Sequence, residues 1–203
     1  MQSPALITII IIFILWLNYE IHKNTGHSKA DTDKFWKREL ASNEVRRLDI
    51  SNLDYITIST DQLPLTDNPD DTINAYRNTI VKLKDKKAIN LSGSTNTDLK
   101  LQYGTANISK LTEYENNYLT LVSILQKWAD RLYKQGSTVD CRIVLEYAIA
   151  CRTDVPTSYK LLAKVYQQEH QTDKINLLIN LITKSRIQEK EKLLKEIEAI
   201  KAS

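Results

Sequence analysis

The alternation of apolar and polar positions divides the chain into stretches of different character. Residues Ala5–Leu17 read ALITIIIIFILWL, an apolar run without a charge. Extended from Pro4 to Ile21, such a run reaches about 27 Å as a helix, against about 30 Å of bilayer hydrocarbon. Residues 24–34, NTGHSKADTDK, are polar and aperiodic and read as a flexible linker. In 35–67, Phe35, Trp36, Leu40 and Val45 mark a helix that Asp33 can cap. Leu53, Tyr55 and Thr57, with Ile56 and Ile58, mark a short extended segment stopped by LPLTDNP. Over 68–124, Ile73, Tyr76, Ile80 and Leu83 fall at helical spacing behind an Asp70 or Asp71 cap. Leu91–Asn107 is loop-rich, with one helical turn capped by Thr97 or Asp98 and ended by Gly104, and a long helix begins near Leu111.

The pattern is strongest in 125–184. Leu125, Trp128, Ala129 and Leu132, followed by Gly136, Cys141, Leu145 and Ala148, repeat in residue class as Tyr159, Leu162, Ala163 and Tyr166, followed by His170, Ile175, Ile179 and Ile182, at a spacing of 34. Two helix-turn-helix units result. In 185–203, Ile187, Leu194 and Ile197 form a stripe among alternating Glu and Lys, which predicts a capping helix. The expected fold is mainly α: a single N-terminal transmembrane helix within an anchor at 1–23, then a short α-solenoid whose two units are capped on both sides.

Composition narrows this. The 203 residues include only 4 Gly and 4 Pro, and 26% are charged, which suits helix-rich structure. A net charge of +3 lacks the dense basic face of a nucleic-acid binder, so no nucleic-acid partner is expected. Before the apolar run stands only MQSP, and no small-residue cleavage site follows it, so the run reads as an uncleaved anchor contacting the bilayer through Pro4–Ile21. Lys23, Lys29, Lys34, Lys37 and Arg38 all follow it, which predicts a single-pass cell-membrane protein with its N-terminus outside and its body cytoplasmic. Cys141 and Cys151, about 15 Å apart if on one helix, cannot form a disulfide and suit a reducing compartment.

Candidate chemistry is sparse. His22 and His27 have no carboxylate or thiol at ligand spacing, so no metal site is expected. Ser92-Gly93-Ser94 lacks the spacing of a phosphate loop, and no Ser or Cys has a base at readable spacing. Asn107-Ile108-Ser109 matches a glycosylation acceptor that a cytosolic placement would leave unused. The expectation is therefore a non-enzyme without cofactor.

The 34-residue pattern, with YKQGSTVDCRIVLEYAI at its centre, resembles the tetratricopeptide repeat. The departures are His170 in place of the turn Gly, Ile175 in place of a small residue and Thr153 where Pro closes the unit. The resemblance implies a groove lined by the first helix of each unit, here Gln126, Asp130, Tyr133 and Lys134, then Lys160, Lys164 and Gln167, with the two later lysines holding a carboxylate-bearing protein or peptide. Trp128, Tyr159 and Tyr166 read as core. FWKRELASNEVRR, LDYITI, TNTDLKLQYG and the LQKWADRLY to LLAKVY region also resemble single-pass membrane proteins of clostridia-type Gram-positive bacteria whose activity is uncharacterised. Together these imply a membrane-anchored adaptor; the alternatives are a structural subunit of an envelope complex or a non-catalytic subunit of a membrane enzyme.

Overall fold

A computed structural model describes residues 4–185 and 187–202, with the side chains of 4–7 and 22–30 outside the description; the histidine pair at 22 and 27 falls among these. Among the described residues eight α-helices follow one another: α1 Pro4–Asn43, α2 Asp71–Leu83, α3 Asn96–Tyr103, α4 Ile108–Lys134, α5 Thr138–Ala150, α6 Pro156–Gln168, α7 Thr172–Lys184 and α8 Lys190–Ala202. The chain divides into two compact units, one of 1–50 with 93–108 and one of 51–92 with 109–203.

In the first unit, α1 runs unbroken through the stretch that the sequence suggests is a linker. That stretch holds no proline, and its one glycine, Gly26, costs a helix only about 1 kcal/mol. Phe35 and Trp36 remain exposed and stack edge to face on each other at 5.5 Å. The transmembrane anchor is overturned. Among the described residues no helix is long and apolar enough to cross a membrane, and the single-pass placement with the body cytoplasmic falls with it. Although α1 has 40 residues, its apolar run ends at Leu17, about 20 Å of helix, and Asn18, Tyr19, Glu20 and Lys23 follow.

Against α1 packs α3. Arg38 pairs with Asp98, and Glu39 with Lys100. Thr97 Oγ1 also donates to Glu39 at 2.6 Å. The α3 cap is Thr95, not Thr97 or Asp98. Thr95 and Asp98 form a reciprocal capping box, which satisfies two otherwise orphan N–H groups. Gly104 ends the helix at φ +83, and a Cβ there would collide with the Arg46 carbonyl. Asn107 is buried, with Nδ2 donating to the Leu48 and Tyr103 carbonyls at 2.7 Å each.

The second unit begins with an extended segment in which Ile56 bridges antiparallel to Ala88, and Ile58, Thr60 and Leu63 are buried. Asp70 caps α2, accepting from the Thr72 amide at 2.9 Å, and Ile73, Ile80 and Leu83 face the core. The long helix expected near Leu111 and the first repeat helix are one element, α4. Its stripe of Leu111, Tyr118, Leu121, Val122, Leu125, Trp128, Ala129 and Leu132 is buried. One core cluster joins α4, α5, α6, α7 and α8, with Trp128 fully enclosed.

Three helix ends are built alike. After α4, Ser137 N donates to Leu132 O and Gly136 N to Tyr133 O; after α6, Gln171 N donates to Tyr166 O and His170 N to Gln167 O, each bond displaced by 34 residues. After α5, Thr153 N donates to Ala148 O and Arg152 N to Ile149 O. This is the helix-ending motif with one left-handed residue, and Gly136, Arg152 and His170 occupy it at φ +79, +56 and +55. Pro156 opens α6 at its first turn, where the missing N–H is harmless. Side-chain bonds set α4 and α6 running the same way: Ser158 Oγ donates to Gln126 at 2.5 Å and Gln168 Nε2 to the Tyr133 hydroxyl at 2.9 Å.

Candidate binding groove

A groove of about 940 Å³ opens in the second unit, walled by α5, α6, α7 and the turn after α5. Helix α7 carries two stripes. Ile175, Leu178 and Ile182 point to the core; beside them Lys174, Leu177, Leu181 and Lys184 line the groove at helical spacing. Leu177 and Leu181 are 62% and 53% exposed, an apolar pair bracketed by two lysines. Tyr159, Leu162 and Tyr166 of α6 and Ile149 of α5 complete the apolar lining.

The polar edge is pinned by bonds to the turn after α5. Tyr118 Oη donates to the Arg152 carbonyl at 2.8 Å and accepts from Asn90 Nδ2 at 2.8 Å. Tyr159 Oη donates to the Thr153 carbonyl at 2.7 Å, and Ser92 Oγ to Asp154 at 2.6 Å. Arg152 forms an ion pair with Asp54. Burial first, and the Asp154 charge second, push the Tyr159 phenol up to about 12 and that of Tyr118 higher still. Both therefore stay protonated and donating at neutral pH.

Glu146 sits at the junction of α5, α6 and α7. Tyr166 Oη donates to Glu146 at 2.9 Å and Lys174 Nζ at 3.2 Å; Arg142 lies at 3.4 Å. Burial pushes the Glu146 carboxyl up, but the bonds from Tyr166 and Lys174 and the charges of Lys174 and Arg142 outweigh it, so the net shift is downward. The Lys174 ammonium also lies 5.2 Å from the centre of the Tyr166 ring. Lys174 is thus committed internally, whereas Lys184 is exposed and has no ion pair among the described residues.

None of the seven residues that the sequence assigns to a partner groove lines this one. Gln126 and Tyr133 are held by the α4–α6 bonds already given, and Asp130 and Lys134 pair with each other at 2.6 Å. Lys160 pairs with Glu196 of α8 at 3.0 Å, because α8 packs along α6. Lys164 is exposed and Gln167 half-buried. The sequence does carry a signal for the groove, the Lys-x2-Leu-x3-Leu-x2-Lys spacing of α7, which a search for the core stripe alone passes over.

Cys141 and Cys151 are free and buried. Burial pushes their thiols up to about 12 and about 11, and the Asp130 charge adds to the shift at Cys141. These are packing residues rather than nucleophiles at neutral pH. Among the described residues the cavity thus offers an apolar lining, one cation without an ion pair and a polar edge held by hydrogen bonds. No protein family, characterised protein or solved structure matches the chain.

Proposed function

We propose that the chain is a binding module that holds a segment of a partner protein, with α4–α8 as scaffold and the α5–α7 groove as contact surface. The observation that carries this is the pair Leu177 and Leu181, which stays more than half exposed on the rim of an apolar groove. Single exposed apolar residues are ordinary, but an adjacent pair continuous with a lined groove is the pattern of an interaction surface. The likeness of 125–184 to tetratricopeptide repeats supports the same class of role. The surface favoured here differs from the one that this likeness implies, because Lys160 on that surface is paired with Glu196 of α8.

The test is site-specific photo-cross-linking of the full chain in its native cells. A photo-reactive residue at position 177 is expected to yield an adduct with one identified protein, and the purified form of that protein to bind wild type but not Leu181→Glu. The same probe at Lys164 reports the α4–α6 face. Adducts from 164 with none from 177 would overturn the groove assignment, and silence from both would overturn the reading.

A further inference from the structure

The groove has an internal precedent. The turns after α4 and α6 repeat at 34 residues, so α5 and α7 are equivalent helices and Leu177 and Leu181 stand where α5 carries Ile143 and Tyr147. The two positions on α5 are covered: Tyr147 is 6% exposed and Ile143 half-buried. The chain itself supplies cover. The Tyr147 hydroxyl is buried and makes no hydrogen bond among the described residues, the Ser59 backbone acts on it electrostatically, and Asp54 pairs with Arg152 just past the end of α5. Ile58 and Leu63 of the same segment join the core cluster that contains Tyr147. The segment therefore runs antiparallel to α5, placing a carboxylate at the helix end and β-branched residues over the helix. On α7 the apolar pair recurs with both leucines open, and Lys184, two positions before the 34-residue equivalent of Arg152, places an exposed cation at the helix end.

We infer that α7 is a second seat of the same kind, taking an extended segment of a partner protein in which a carboxylate precedes β-branched residues by about four positions, as Asp54 precedes Ile58. The carboxylate meets Lys184, and the apolar side chains lie on Leu181, Leu177 and the lining formed by Tyr159 and Leu162. Charge complementarity selects this chemistry: Lys174 is already satisfied by Glu146, so among the described residues the cation without an ion pair lies at the Lys184 end of the apolar pair and sets the direction of the segment. The inference rests on the groove being a protein-binding surface.

The probe is a fluorescently labelled peptide with the sequence of residues 52–62, NLDYITISTDQ. It is titrated against the full chain and followed by anisotropy. Saturable binding is expected, and Leu177→Glu with Leu181→Glu is expected to weaken it by about tenfold or more, since a charge is placed in an apolar contact. Lys184→Glu is expected to weaken it by about threefold to tenfold, with recovery when the peptide carries Lys in place of the Asp that corresponds to Asp54. Because Leu177, Leu181 and Lys184 are exposed, unchanged circular dichroism melts verify that these variants fold.

Absence of saturable binding overturns the inference. So does binding that the α7 variants leave unchanged, which would mean exchange with the chain's own segment on α5. Sedimentation showing a wild-type dimer that Leu177→Glu dissociates would make a second copy the occupant and likewise overturn it. If the peptide fails while position 177 still cross-links an identified protein, only the peptide chemistry is lost and the groove reading stands.

Discussion

His170 holds a left-handed backbone, φ +55, where the equivalent turn after α4 has Gly136. A side chain in that conformation crowds the following carbonyl, at a cost of roughly 1 kcal/mol that glycine avoids. His170 is exposed, and its side chain has no hydrogen bond or ion pair among the described residues. His170→Gly is therefore expected to raise stability by about 0.5–1 kcal/mol in urea denaturation, and a loss of stability would contradict the turn geometry. Arg152 shares the conformation, but its ion pair with Asp54 ties it to the extended segment, so Arg152→Gly removes strain and a contact together. The departure of His170 from glycine is legible in the sequence. That Arg152 stands in the same conformation is not, because nothing in its neighbours distinguishes a left-handed arginine from a helical one.

Among the elements, burial separates two kinds of apolar residue that composition treats alike. Trp128 of α4 is fully enclosed, and its indole N–H has no acceptor among the described residues. Trp128→Ala is expected to cost about 3–5 kcal/mol, because it opens a large cavity in the cluster shared by α4–α8. Leu181→Ser, on the groove face of α7, is expected to change stability by less than about 0.5 kcal/mol. Parallel chemical denaturation curves of the two variants check both; a comparable loss in each would mean that Leu181 is core.

Periodicity alone made the core stripes of α2, α4, α6 and α7 readable, since a helix buries positions three and four apart. It could not reveal that α1 continues through 24–34, where backbone hydrogen bonding overrides weak propensity. Nor could it reveal that α8 lies along α6, where Glu196 meets Lys160. For that reason the sequence assigns the partner surface to α4 and α6, and the open groove falls beside α7.

Over the whole molecule, carboxylates dominate the response to acid. In the first unit Glu39 is held below its ordinary value by hydrogen bonds from Lys100 and Thr97, and Asp98 by those from Thr95. In the second unit Arg152 does the same for Asp54, and Arg131 for Asp70; Glu146 is lowered by the network already described. A carboxyl lowered on folding stabilises the native state above its unfolded value, near 4, and that contribution disappears as pH falls through the folded value. Glu115, raised by burial, acts in the opposite sense. Thermal melts are therefore expected to shift downward between pH 6 and pH 3, and an unchanged midpoint would show that these pairs contribute nothing.

The helices α5, α6, α7 and α8 are each 13 residues long. Equal rods of about 20 Å keep the left-handed turns in step from one unit to the next. One residue inserted within such a helix turns everything beyond it by about 100° and carries the buried stripe away from its neighbours. Length variation in this half of the chain is therefore expected in the connections between helices and not within them, because only there does an added residue leave the register of the rest unchanged.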